Sequence, residues 1–296
     1  MTHFFYGLVL LLLVNHSTFG QRKTSLAELK SSITTELDKH KGTYAVAFKD
    51  LTSGEELLIL EHEVFHAAST MKMPVMVEVF KQAGEGKFSL TDSITIKNEF
   101  KSIVDGSVYS QDSINDSEHE LYKRIGEKAA IKDLVYDMII VSSNFATNMI
   151  VDLVDPKKVT QTMRQLGAKD LLILRGVEDS KAFAQGLNNT TTAYDLMLIF
   201  EKMAEGKIIN QEACDAMIKI LLDQKFRSLI PAKLPKDVKV AHKTGYFGTT
   251  QHDSGIVFLP DGRKYVVVIL SREWDDRPAT LDMLSGISRM IYDYVK

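Results

Sequence analysis

Apolar residues first recur at helical spacing at Leu26, Leu29, Ile33 and Leu37, behind a capping-box pattern at Ser25 and Glu28. That pattern predicts an amphipathic helix running to about His40. Residues 44–50 and 56–60 are short apolar-rich runs around Leu51-Thr52-Ser53-Gly54 and read as a β-hairpin. Helix-compatible residues fill 73–82 and stop at Gly84-Glu85-Gly86, with Pro74 tolerated near the first turn because early helical N–H groups lack partners anyway. From 90 to 120 the pattern fades into polar residues, predicting surface loops with short helical pieces, Tyr109 among them as an aromatic able to lean over a site. Leu134, Met138, Val141 and Phe145, then Ala146, Met149, Ile150 and Leu153, give two helical stretches. Ser142-Ser143-Asn144 interrupts them, because serine and asparagine side chains compete for backbone hydrogen bonds. A helix follows over 159–166, then a loop over 179–189, a Thr190–Thr192 cap with a helix bearing Leu196, Met197 and Phe200, and a helix holding Met217 and Leu221. The period then changes. Residues 238–246, 254–259 and 264–271 read as strands, the last two joined by Pro260-Asp261-Gly262, before a final helix with Leu284, Ile287 and Ile291.

This order, strands at both ends and helices between, predicts an α+β chain. Its simplest packing is one five-stranded antiparallel sheet flanked by terminal helices, with an inserted all-helical part. The expected division is a sheet subdomain from 21–66 together with 215–296, and a helical subdomain from 67–214. A cleft between them would form one catalytic unit.

Composition narrows the functional classes. The net charge of −3 and the absence of a long basic run argue against a nucleic-acid partner. The single cysteine, Cys214, allows neither an internal disulfide nor a paired-cysteine metal site. Residues 8–14 form an apolar run too short to span a bilayer comfortably, and Thr18-Phe19-Gly20 offers small residues at a signal-peptidase spacing, so 1–20 reads as a signal peptide cleaved to leave Gln21 first. An uncleaved anchor is the other reading of the same run. Either places the functional part outside the cytoplasm, and a disulfide-free chain there suits a bacterial periplasm.

The candidate chemistry centres on Ser69-Thr70-Met71-Lys72. In a helix opening at Ser69, positions three apart share a face, which would set the Lys72 amine beside the Ser69 hydroxyl as an activated nucleophile. Unpaired N–H groups at the helix start would help hold an oxyanion. The spacing alone is common. Ser142-Ser143-Asn144 at a helix break and Lys243-Thr244-Gly245 on an expected strand add weight: a cation beside a hydroxyl suits a substrate carboxylate, and Gly245 permits close backbone approach.

Taken together the three triplets resemble the signatures of class A β-lactamases and the related penicillin-binding serine peptidases. The resemblance extends over the mature chain and includes the run Asn144-Phe145-Ala146-Thr147-Asn148. It implies Ser69 as the acyl-forming nucleophile and Lys72 as proton acceptor, directly or through a water and a glutamate. Ser142 would pass the proton to the leaving lactam nitrogen. Asn144 would bind the substrate's side-chain amide, Lys243 and Thr244 its carboxylate, and the backbone N–H groups of Ser69 and Tyr246 the oxyanion. The resemblance implies a small-molecule β-lactam as substrate, no metal or cofactor, no stable membrane association after cleavage, and a monomer.

Two departures stand out. Ser143 occupies the place where the family usually has an aspartate that supports the loop. The deacylating glutamate of class A enzymes lies two residues after an arginine, with an asparagine four further on. Here Glu178 lies three after Arg175, and Ala182 stands where the asparagine is expected, leaving Asn188 or Asn189 to fold back. A Glu178 without that role would make the protein a slowly deacylating penicillin-binding protein. A D-alanyl-D-alanine peptidase or esterase, and an acylated sensor or binding module, are the remaining readings.

Overall fold

The computed structural model of the chain describes residues 1–3 and 24–296, so most of the expected signal peptide lies outside the described residues. The helices among the described residues are α1 (Leu26–Leu37), α2 (Lys72–Gly84), α3 (Ile131–Ile140), α4 (Asn144–Val154), α5 (Pro156–Gln165), α6 (Ser180–Ala184), α7 (Ala193–Ala204), α8 (Gln211–Leu222) and α9 (Arg277–Val295). The main sheet consists of β1 (Thr43–Asp50), β2 (Glu56–Ile59), β3 (Lys239–Phe247), β4 (Thr250–Phe258) and β5 (Lys264–Arg272). It is antiparallel throughout and ordered β2-β1-β5-β4-β3. The two ends of the chain meet where Thr43–Asp50 pairs with Arg272–Tyr265, the arrangement expected from the element order.

Alternation along the strands builds a three-layer molecule. Val46, Phe48, Val267 and Ile269 pack with Leu29 and Ile33 of α1 and Leu284, Ile287 and Ile291 of α9. Ala45, Ala47, Val266 and Val268 join the larger core made by the helices of the middle of the chain. Both sheet faces are therefore dry, and each large aliphatic side chain buried there contributes about 1.5–3 kcal/mol. α2 runs through the larger core, with every residue from Lys72 to Phe80 buried. The expected subdomain boundary at 214/215 falls inside α8, whose buried Cys214, Met217 and Leu221 all belong to that larger core.

Three boundaries differ from the pattern for local reasons. α1 stops at Leu37 rather than His40, because the chain turns toward Gly42, whose φ of 136° and 2.8 Å clearance to the Tyr44 hydroxyl exclude a side chain. α5 begins at Pro156, capped by the Asp155 carboxylate accepting from the Lys157 N–H at 2.9 Å. β4 begins at Thr250, four residues before the expected start, through buried polar Gln251, His252 and Asp253. These are bonded inside: Asp253 accepts from His242 Nδ1 at 2.8 Å and from the Ile230 N–H at 3.1 Å. His252 Nε2 donates to the His66 carbonyl at 3.0 Å. No helix among the described residues is long and apolar enough to cross a membrane.

Candidate active site

Ser69 stands in a 3₁₀ turn, Ala68–Met71, that runs directly into α2. Ala68 has φ 44°, a left-handed conformation unusual for a residue with a Cβ. Edge strand β3 closes on this turn because Gly245 has no side chain: a Cβ there would lie 3.2 Å from both Cγ2 and N of Thr70 and 3.3 Å from the Ala68 Cβ. Ser69 and Tyr246 thus share the rim of two hollows. One, about 280 Å³, is lined by Ser142, Ser228, Thr244 and Arg277. The other, about 660 Å³, is lined by His66, Val177, Glu178, Phe183 and Phe247.

Lys72 is fully buried at the start of α2, and its amine reaches the 142–144 turn. Nζ donates to the Ser142 carbonyl at 2.6 Å and to Asn144 Oδ1 at 2.8 Å, with Ser142 Oγ at 3.2 Å and the Ser143 carbonyl at 3.4 Å. The hydrogen bonds of the amine thus run to the 142–144 turn. Among the described residues none of these bonds goes to the Ser69 hydroxyl, because the spacing straddles the junction of a 3₁₀ turn and an α-helix and the left-handed Ser142 (φ 59°) turns stronger acceptors toward the amine. Burial pushes the Lys72 pKa down to about 7, against the opposing pull of Asp116 and Glu178.

Lys243 is also fully buried and lines neither hollow, so the substrate contact expected of it is not open to solvent. Its Nζ donates to Ser142 Oγ at 3.0 Å and to its neighbour's carbonyl, that of Thr244, at 2.9 Å. Burial, and then the nearby Lys72 charge, hold its pKa well below the ordinary lysine value. The Ser142 hydroxyl therefore bridges two lysines. Thr244 keeps a small exposed edge in the first hollow.

Asn144 joins this group to Glu178, donating from Nδ2 to Glu178 Oε1 at 2.8 Å. Desolvation raises the Glu178 pKa; the Asn144 bond opposes this and the Asp116 charge adds to it. Glu178 is left-handed at φ 63° and partly open to solvent. Its loop is braced by the side chains expected as alternatives for the catalytic water. The Asn188 Oδ1 accepts from Arg175 Nη2 at 3.1 Å, and Asn189 bonds the backbone of Leu174 at 2.8 Å and Arg175 at 2.9 Å. Asn148 grips Val177 through its N–H at 2.6 Å and its carbonyl at 3.0 Å, so closely that a Cβ at Gly176 would lie 2.2 Å from Asn148 Oδ1. Tyr109 does not lean over the cleft; its hydroxyl donates to the Val177 carbonyl at 3.2 Å.

Two residues escaped sequence reasoning. Asp116 is buried, and its carboxylate accepts from the N–H groups of Asn144 at 3.0 Å and Phe145 at 2.8 Å, from the Tyr122 hydroxyl at 3.0 Å and from Ser143 Oγ at 3.3 Å. It brings a carboxylate to the 142–144 turn from another loop. Two helix-start N–H groups and two hydroxyls converge on one anion, a favourable site for it. Arg277, at the start of α9, places its guanidinium 4.3 Å over the Tyr246 ring and donates to Gln251 Oε1 at 3.1 Å while remaining exposed in the first hollow. Asn115-Asp116 in a polar loop and an arginine beyond the last strand carried no periodic or spacing signal.

A five-stranded antiparallel sheet against a helical layer, with three short motifs meeting at its edge, is the architecture of the β-lactamases and penicillin-binding peptidases. A model of the β-lactamase enzyme family matches residues 28–295, and the chain belongs to that family. It is a β-lactamase-like hydrolase by that membership. A β-lactamase of Bacteroides uniformis is 25% identical over 93% of this chain and 94% of its own length. The structure of PBP-A superposes with a TM-score of 0.80 at 28% identity, covering 91% of this chain and 96% of that one. A mutant PBP-A, solved as an acyl-enzyme complex with penicillin G, also gives 0.80 and 28%, over 92% and 98% of the two chains.

Proposed function

We propose that the protein is a class A-like serine β-lactamase that opens the lactam amide by acyl transfer to Ser69. The observation that carries this reading is one unbroken hydrogen-bonded chain from Glu178 through Asn144, Lys72 and Ser142 to Lys243 along the cleft that Ser69 lines. In this reading Ser69 Oγ attacks the lactam carbonyl carbon, the C–N bond breaks, and the hydroxyl proton enters the Lys72 and Ser142 network. Ser142 returns a proton to the lactam nitrogen, its hydroxyl replenished by whichever lysine is charged. The backbone N–H groups of Ser69 and Tyr246 hold the oxyanion. Water activated by Glu178 then cleaves the ester and frees Ser69. Arg277 and Thr244 meet the substrate carboxylate at the open end, and Lys243 acts on the site through its bond to the Ser142 hydroxyl.

A second reading shares the first step. Glu178 is engaged by Asn144, and Asn188 and Asn189 are committed to bracing their loop, which favours a persistent acyl-enzyme of the kind a penicillin-binding protein forms. Intact-protein mass spectrometry after mixing with penicillin, followed from seconds to hours beside lactam absorbance, separates the two. An adduct that forms and clears over many turnovers supports the β-lactamase. A lasting adduct selects the penicillin-binding protein, and no adduct with no turnover rejects both. The periplasmic setting and monomeric state belong to the same proposal, tested by the mature N-terminus and by solution mass.

A further inference from the structure

The residue three before Ser69 is a histidine that neither the spacing nor the proposed chemistry uses. His66 precedes Ala68, whose left-handed backbone (φ 44°) fixes the direction in which the chain enters the Ser69 turn. A residue with a Cβ does not hold that conformation without help. The help is local: the Ala68 N–H donates to His66 Nδ1 at 3.0 Å. An imidazole nitrogen that accepts carries no proton, so the ring is neutral with its hydrogen on Nε2. The ring itself is held from two sides. Phe247, at the end of β3, stacks on it with centroids 5.1 Å apart at 23°, and Phe183 of α6 meets it edge-on at 6.4 Å. Its carbonyl accepts from the buried His252 at 3.0 Å, and the Ala67 N–H donates to the Asn189 carbonyl at 2.8 Å. Burial and the Arg175 charge lower its pKa, in keeping with the neutral form.

We propose that His66 is a positioning residue for the nucleophile: its neutral Nδ1, clamped by Phe247 and Phe183, fixes the Ala68 peptide and so aims Ser69 into the cleft. This rests on Ser69 as the nucleophile. Two substitutions divide the histidine's properties. His66→Phe keeps a ring to stack but removes the acceptor, while His66→Asn keeps a side-chain acceptor able to bond the N–H two residues on but removes the stack. If positioning runs through the acceptor, His66→Phe lowers the second-order rate of acylation by penicillin about tenfold, chiefly through the maximal rate rather than the half-saturating concentration, and His66→Asn recovers most of it. A purely packing role gives the reverse order. The ¹⁵N spectrum of wild-type protein labelled at histidine supplies a test that needs no variant to fold: an unprotonated Nδ1 at His66 across neutral pH is expected, and a protonated Nδ1 overturns the proposal. A wild type that forms no adduct at Ser69 removes the nucleophile assignment and this inference together. A wild type that labels normally, beside a folded His66→Phe that labels at the same rate, removes the inference alone.

Discussion

On the lysine side of Ser69 the polar groups are buried and held from several directions, whereas on the Glu178 side the loop backbone is braced but the carboxylate itself is exposed and held through Asn144. Lys72 and Lys243 are each fully buried on regular elements, with the Ser142 hydroxyl between them at 3.2 and 3.0 Å. Glu178 is a left-handed loop residue, partly open, whose carboxylate is tied to Asn144 at 2.8 Å. The family's pattern survives residue for residue on the first side except at 143, and is respaced on the second. Where many groups must be desolvated together, each one fixes the others, because any unpaired buried charge is expensive. A solvent-facing carboxylate lacks that constraint, so its loop can be rebuilt around different braces.

The contrast can be broken most directly at Ser69. Ser69→Ala should abolish both the covalent adduct and turnover; hydrolysis at the wild-type rate would end the acyl-enzyme reading. Glu178→Gln sharpens the comparison, since it should slow adduct clearance by about 100-fold while changing adduct formation far less. Equal losses in single-turnover formation and clearance would take Glu178 out of the deacylating role.

Next in size is the buried Asp116 carboxylate at the 142–144 turn. Asp116→Ala leaves two helix-start N–H groups and two hydroxyls short of an acceptor and should lower unfolding stability by about 3 kcal/mol in urea titration. Adding Ser143→Asp should restore part of it, and no recovery would show that the carboxylate's place is not interchangeable. The lysine side also predicts a pH limb. With the Lys72 pKa near 7, the amine protonates as pH falls, so acylation should drop about tenfold per unit below that value. Because Lys72 and Glu178 influence each other, the limb belongs to the pair. A flat acylation profile from pH 5 to 8 would exclude Lys72 as the base. The smallest effect is expected at the open end, where Arg277→Ala should raise KM for anionic lactams about tenfold and leave neutral esters unchanged. Equal KM changes for both would make Arg277 a support for Tyr246 alone.

How far the sequence could be read depended on what each segment had to satisfy. Residues 264–271 were legible as a strand because both sheet faces are dry and Val266, Val267, Val268 and Ile269 form a continuous apolar run. The first residues of β4 were not, since Gln251, His252 and Asp253 are equally buried but satisfied by partners distant in sequence. The three triplets pointed to the family and to a candidate site. They did not announce that Lys72 bonds the 142–144 turn, that Lys243 is enclosed, or that Asn188 and Asn189 serve Arg175.

By itself the sequence determined the order of elements, the five-stranded sheet and the motifs at its edge, because hydrophobic period and turn chemistry are local properties. Only the tertiary structure decided which acid caps the 142–144 turn, which cation faces the open cleft and which ring steadies the nucleophile's turn. Asp116 lies 28 residues from Asn144, and no spacing rule links them. A hydrogen bond between groups that distant in the chain depends on the packing of everything between, and that packing exists only once the chain has folded.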